Sequence, residues 1–99
     1  MFSIRYTTLA NQDLFDIFEI IAEDKPNSAV SYIEKLEVFI SYLESNPYLG
    51  VECKKKKIDK DCRVLIFEKN YLIFYKIVDS EIHILRILNA RVDYQESDV

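Results

Sequence analysis

Few side chains in this 99-residue chain are suited to catalysis or metal binding. It has one histidine, His83, and two cysteines, Cys53 and Cys62, which do not form a CxxC pair. A zinc site needs three or four such ligands, so we predict no metal and no cofactor. A single glycine excludes a glycine-rich phosphate loop. His83 has no second catalytic group beside it in the run EIHILRIL, and we interpret it as a partly exposed strand residue.

Charged side chains are unevenly distributed. The formal net charge is −4, which argues against a surface built to wrap nucleic acid. Asp13 and Asp16 stand three residues apart, and we interpret them as the solvated face of a helix. A run of lysines could bind phosphate or an acidic partner, although lysine also commonly protects exposed sheet edges. This basic patch comprises Lys54, Lys55, Lys56 and Lys57.

Three arginines and one tyrosine are candidates for binding a partner. Arg63 and Arg86 lie within otherwise apolar strands, where we expect an arginine to be paired with a carboxylate. Arg91 follows the last strand with only Asp93 close to it in sequence, and Tyr94 comes next. Arginine makes bidentate contacts to carboxylates and phosphates. We therefore predict a partner surface that includes Arg63, Arg86, Arg91 and Tyr94.

Size and composition predict one domain spanning residues 1–99. No apolar run approaches the roughly 20 residues of a membrane span, and no signal peptide is visible. We therefore expect a cytoplasmic protein without a membrane contact. In that compartment Cys53 and Cys62 are expected to be reduced thiols, although the spacing leaves open whether they approach each other.

Hydrophobic periodicity predicts a strand, two helices and then several strands. Phe2 to Tyr6 alternates like a half-buried strand. Helices are predicted at about Thr8–Asp24 and Asn27–Asn46, separated by Pro26. The later strands are predicted at Val51–Ile58 (weakly), Cys62–Glu68, Tyr71–Val78 and Glu81–Leu88. The fold class is therefore α+β, with an antiparallel helical hairpin on one face of a mainly antiparallel, twisted sheet.

Five short sequence patterns follow one another along these elements. They are Y-x-x-x-A-x-x-D-L from Tyr6 to Leu14, the hairpin residues from Ile17 to Ile33 around Pro26, Leu43 with Pro47 and Gly50, Arg63 with the run YLIFY at 71–75, and ILRILNARVD at 84–93. In this order they resemble the RelE/ParE toxin superfamily. The resemblance covers nearly the whole chain and implies a bacterial toxin of a type II toxin–antitoxin system.

Two branches of this superfamily act differently. The resemblance implies either ribosome-dependent cleavage of messenger RNA, as in RelE, or inhibition of DNA gyrase by binding, as in ParE. Leu65 and Leu72 stand where the RNase branch carries a lysine and an arginine, and leucine cannot stabilise a charged transition state. Arg91 matches a basic position that both branches share. We therefore favour a ParE-like gyrase inhibitor, linked to plasmid stabilisation, that is not an enzyme.

The resemblance also implies partners. A cognate antitoxin would neutralise the toxin through a segment that folds on binding, and the weak strand at Val51–Ile58 is a possible docking edge. The alternatives that stay open are a RelE-type endoribonuclease, with the ribosome and mRNA as partners, and a non-toxic remnant that only binds an antitoxin. Either a homo-oligomer or a toxin–antitoxin hetero-oligomer is compatible with the sequence.

Overall fold

A computed structural model describes residues 1–91, so Tyr94 and Asp93 lie outside the described part. The chain forms one strand, two helices and four further strands. Their bounds are β1 Ser3–Tyr6, α1 Thr8–Asp24, α2 Pro26–Ser41, β2 Val51–Glu52, β3 Arg63–Phe67, β4 Tyr71–Val78 and β5 Glu81–Asn89. Two short 3-10 turns, Tyr42–Glu44 and Cys53–Lys56, complete the described structure.

The five strands form one sheet in the order β1-β5-β4-β3-β2. β1 pairs with β5 in parallel, and all other neighbouring strands pair antiparallel. The main core lies between the helical hairpin and one face of the sheet, with Leu36, Ile40 and Tyr75 fully buried in it. The predicted α+β class, with the hairpin on one face of a mainly antiparallel sheet, is confirmed.

Local capping sets the helix ends. The Thr7 hydroxyl accepts a hydrogen bond from the Ala10 backbone N–H at 3.1 Å and so caps α1. α2 begins at Pro26 and not at Asn27, because proline suits a first helical position, where its missing N–H is not needed. α2 ends at Ser41, earlier than predicted, because the chain tightens into the 3-10 turn there.

The predicted strand at Val51–Ile58 is wrong for most of its length. Only Val51 and Glu52 pair with β3, and a 3-10 turn follows directly. Lys57 then adopts a left-handed conformation, with φ at 63°. The Ile58 backbone N–H donates to the Cys53 carbonyl at 3.0 Å, which folds the segment back on itself. Ile58 is 1% exposed, so burial of this one apolar side chain accompanies the bend.

Cys53 and Cys62 form a disulfide, so the expectation of two free thiols is wrong. Their Cα atoms are 5.4 Å apart, and the Cys53 N–H donates to the Cys62 carbonyl at 2.8 Å. The pairing of Glu52 with Arg63 places the two cysteines opposite each other immediately beyond the β2–β3 ladder. That separation lies within the range that a disulfide spans.

The loop from Cys53 to Cys62 covers part of the sheet face that the helices leave open. We call this the back face. A second small core lies here, in which Ile58 packs with Val64 and Phe74 from the central strands. The basic patch Lys54–Lys57 is carried on this loop and is exposed. Within residues 1–91, neither helix is long and apolar enough to cross a membrane.

Candidate functional site

A buried ion pair between Asp13 and Arg86 connects α1 to β5. The Asp13 carboxylate accepts hydrogen bonds from Arg86 Nε at 2.8 Å and Nη2 at 3.0 Å. It also accepts the Ile87 backbone N–H at 2.9 Å. β1 ends at Tyr6, opposite Ile84, so the outer edge of β5 beyond that point has no strand partner. The Asp13 carboxylate takes the place of that partner for one backbone donor.

This geometry changes the interpretation of Asp13 and of Arg86. Asp13 is 8% exposed, so its interpretation as part of a solvated face is wrong, whereas Asp16 is exposed as expected. The expectation that a strand arginine pairs with a carboxylate is confirmed for Arg86. Because the Arg86 guanidinium is held by Asp13, we assign Arg86 a structural role.

Arg63 lies at the start of β3 beside the turn that follows the second helix. Its Nη1 donates to the Gly50 carbonyl at 2.7 Å, and its Nη2 lies 3.5 Å from the Glu52 carboxylate. The guanidinium carbon lies 4.9 Å from the centre of the Tyr48 ring, a distance suited to a cation–π contact. The expected pairing with a carboxylate is confirmed at this long distance, and the Arg63 side chain remains 22% exposed.

Tyr75 holds this turn in position. Its hydroxyl donates to the Pro47 carbonyl at 2.8 Å and accepts the Gly50 N–H at 2.8 Å. A Cβ on Gly50 would lie 2.7 Å from the Tyr75 ring, which explains why glycine stands there. Burial raises the pKa of the Tyr75 phenol, so it stays protonated and can donate. The sequence did not indicate this role of Tyr75, because the run YLIFY at 71–75 predicts only a buried strand.

Exposed apolar side chains surround Arg63. Tyr48 is 67% exposed, and Leu49 and Val51 are about half exposed. We call Tyr48, Leu49, Val51 and Arg63 the Arg63 surface. A cleft of about 320 Å³ opens beside it, and the Cys62 end of the disulfide forms part of its wall.

Arg91 lies at the opposite end of the central strands. Its backbone N–H donates to the Asn89 side chain at 2.9 Å, and its own side chain is exposed. Arg63 is opposite Tyr75 and Asn89 is opposite Tyr71, a separation of four residues along β4 or roughly 14 Å. The structure therefore places Arg63 and Arg91 at two separate positions. Tyr94 lies outside the described residues.

His83 takes part in a small surface cluster. The His83 ring nitrogen Nε2 lies 3.0 Å from Glu81, which also pairs with Arg5 on β1. The hydrogen bond with His83, followed by that with Arg5, lowers the pKa of the Glu81 carboxyl. His83 is partly exposed, as predicted. Among residues 1–91, no three potential metal ligands come together.

Comparison with known proteins identifies relatives of this arrangement. Residues 4–94 match the sequence profile of a family described as "ParE toxin of type II toxin-antitoxin system, parDE". The structure resembles a solved chain described as "Chromosomal ParDE TA system from P. aeruginosa", with a TM-score of 0.79 and 22% identity over 92% of this chain and 98% of that chain. At that identity the likeness establishes the fold. No curated protein matches the chain.

Proposed function

The chain belongs to the ParE toxin family of type II toxin–antitoxin systems, and from this membership we propose that it inhibits DNA gyrase by binding. A cognate antitoxin neutralises it, and toxin, antitoxin and gyrase meet in the bacterial cytoplasm. Residues 1–99 act as one toxin domain. In this proposal the chain obstructs its target and performs no chemistry of its own.

The burial of Leu65 and Leu72 is the observation that carries this proposal. These residues stand where the RNase branch is expected to carry cations. Leu65 is 9% exposed and packs in the core under the helices, while Leu72 is 7% exposed and packs in the back-face core. Both are therefore part of the folded interior. Neither supplies a charge to a phosphate group, which supports binding over RNA cleavage.

The Arg63 surface and Arg91 are the two candidate contacts with gyrase. Arginine and tyrosine are enriched among residues that dominate binding energy at interfaces. The Arg63 surface has both, and its neighbouring apolar residues can exclude water from a contact. Arg91 adds an exposed guanidinium whose side chain has no ion pair with any residue of 1–91.

The antitoxin has a separate apolar groove available to it. The groove has a volume of about 470 Å³ and runs beside α2, where Val38, Phe39, Tyr42 and Phe67 contribute apolar surface. Val38 and Tyr42 are each more than half exposed. Grooves of this kind accept an amphipathic segment that folds on binding. The groove lies beside α2, whereas the Arg63 surface lies at the turn after that helix, and the two share no residue.

A direct test compares the two activities of the superfamily with one preparation. The purified chain is incubated with gyrase and supercoiled plasmid, and separately with ribosomes translating a defined message. We expect double-strand breaks in the plasmid and an intact message. Cleaved message with intact plasmid would replace this proposal with the RelE-type alternative. Failure of both, with antitoxin binding retained, would identify a non-toxic remnant.

Matched variants locate the contact. We expect Arg91→Ala to reduce DNA breakage while leaving the melting temperature nearly unchanged, since only its backbone makes a hydrogen bond within residues 1–91. Lys55→Ala removes one exposed charge from the back-face loop and should retain activity. His83→Ala should also retain activity. Loss of activity in His83→Ala, together with message cleavage, would contradict a binding mechanism.

A further inference from the structure

A second cleft lies at the end of the helical hairpin and is not used by the proposal above. It has a volume of about 490 Å³ and lies between the α1–α2 junction, the β3–β4 turn and the end of β5. Its polar side chains are lysine, serine, asparagine and tyrosine, and none of the lining residues is acidic. The lining residues that matter here are Lys25, Ser28, Tyr32, Lys35 and Asn70.

One buried polar atom behind the wall of this cleft has no hydrogen-bond partner among residues 1–91. The Tyr32 hydroxyl oxygen is enclosed by protein, and it has no hydrogen bond within residues 1–91. The ring packs edge-on against Phe67 and Tyr71, with centroid distances of 5.6 and 6.2 Å, so the side chain is held in place. A buried hydroxyl without a partner is destabilising, and a ligand group that reached it would remove that penalty.

The charge around the cleft is positive. Lys25 has no ion pair with any other residue of 1–91, while Lys35 lies 3.4 Å from the Glu68 carboxylate. The first turn of α2 adds at most the Asn27 backbone N–H as a donor, because Pro26 has no N–H and the Ser28 N–H donates to the Lys25 carbonyl at 2.9 Å. Burial raises the pKa of the Tyr71 phenol, so Tyr71 remains a neutral donor. Apart from the Glu68 carboxylate beside Lys35, the charged groups at the cleft are the two lysines, which suit an oxyanion.

We propose that this cleft is a carboxylate site that receives an acidic side chain of a partner peptide. Lys35, which lines the cleft, already pairs with one carboxylate, that of Glu68, at 3.4 Å. The cleft shares Ser31 and Lys35 with the apolar groove beside α2, so a single peptide can occupy both. The net charge of −4 disfavours a polyanion such as nucleic acid, whereas one carboxylate is tolerated.

Binding requires a small rearrangement at the cleft wall. The Tyr32 oxygen is enclosed, so the incoming carboxylate has to displace a neighbouring group to reach it. Lys35 is suited to that movement because its side chain is 66% exposed and its ion pair with Glu68 is long. The carboxylate would then replace Glu68 beside Lys35, and the Tyr32→Phe variant below tests whether it also accepts a hydrogen bond from Tyr32.

The proposal rests on the proposed function only in requiring a partner peptide along α2, and it does not depend on gyrase. It is tested by NMR titration of the full chain with blocked tri-glutamate, with blocked tri-glutamine as the neutral isostere, and with inorganic phosphate. We expect tri-glutamate to shift the backbone amide signals of Ser28, Ser31, Asn70 and Tyr71, and tri-glutamine to leave them in place.

Three variants separate binding from stability. Tyr32→Phe should weaken tri-glutamate binding about tenfold, as loss of a hydrogen bond to a charged group does. The same variant should not lower the melting temperature, because the hydroxyl has no partner in the free protein. Lys25→Ala should weaken binding by up to about fivefold, the effect of one exposed ion pair. Lys55→Ala is the matched charge control and should bind normally.

Four results would overturn the assignment. They are no shift at any concentration, shifts confined to the basic patch, equal binding of tri-glutamine, and tighter binding of phosphate than of tri-glutamate. The last would identify a phosphate site. Because the probe peptides contain no antitoxin sequence, these failures leave the gyrase assay unaffected, and an inactive toxin leaves the titration interpretable.

Discussion

Replacement of Asp13 by alanine gives the sharpest test of how this fold is held together. Asp13→Ala removes two hydrogen bonds from Arg86 and the one acceptor of the Ile87 N–H. Breaking one partner of a fully buried ion pair costs about 3–5 kcal/mol. The side chains here are 10% and 19% exposed, so the lower end applies. We expect a loss of about 3 kcal/mol in the free energy of unfolding, including the unpaired backbone donor.

Urea denaturation followed by far-ultraviolet circular dichroism measures this loss. A domain of this size would also melt roughly 15 °C lower. Asp13→Asn keeps an oxygen that can accept the Ile87 N–H but lacks the charge, so it should fall between wild type and alanine. Asp16→Ala, on the exposed side of the same helix, should cost less than about 0.5 kcal/mol. Equal losses for Asp13→Ala and Asp16→Ala would refute the role assigned to the buried carboxylate.

Three further outcomes are expected. Leu36→Ala should lower the free energy of unfolding by about 2–5 kcal/mol because the side chain is fully buried, whereas Glu37→Ala should lower it by less than about 0.5 kcal/mol. Denaturant titration measures both losses, and similar values would contradict the placement of the apolar seam of α2. Reduction of the disulfide, or joint replacement of Cys53 and Cys62 by serine, should cost about 2–3 kcal/mol from a loop separation of 9 residues. It should also speed amide exchange at Ile58, and an unchanged exchange rate would contradict a role of the disulfide in holding this loop. The pKa of the Glu81 carboxyl is lowered in the folded state, so its contribution to stability is fully present above its ordinary pKa of 4.5 and is lost as the pH falls through the lower, folded-state pKa. Glu81→Gln should therefore lose less stability in acid than the wild type, which melting temperatures between pH 3 and 6 would show.

The order and type of most elements were predictable because each depends on a local pattern. The two helices show an apolar seam, and the three long strands are separated by short polar turns. Pro26 marked the helix boundary within one residue. The strand predicted at Val51–Ile58 was wrong because this segment has no local pattern to read. Its four consecutive lysines carry no hydrophobic periodicity. Its bend depends on the burial of Ile58 against the sheet, which is a tertiary contact.

The candidate site was predicted less well because it depends on strand order. No local pattern shows that β1 pairs in parallel with β5, or that β1 stops at Tyr6. Those two facts leave the β5 edge open and draw Asp13 into it, across 73 residues of sequence from Arg86. The register of β3 on β4 likewise separates Arg63 from Arg91. Residue types alone could nominate these side chains but could not group them.

The contact between Asp13 and Arg86 also bears on what the sequence resemblance means. Asp13 belongs to the first of the five sequence patterns, and Arg86 belongs to the last. In the folded chain the two patterns meet in one ion pair, whose carboxylate satisfies one backbone donor at the open edge of β5. In this chain their joint presence is therefore explained by a contact that the fold uses, independently of any target. Evidence about the target has to come from positions outside this ion pair, which is why the proposed gyrase contacts are the exposed Arg91 side chain and the Arg63 surface and do not include Arg86.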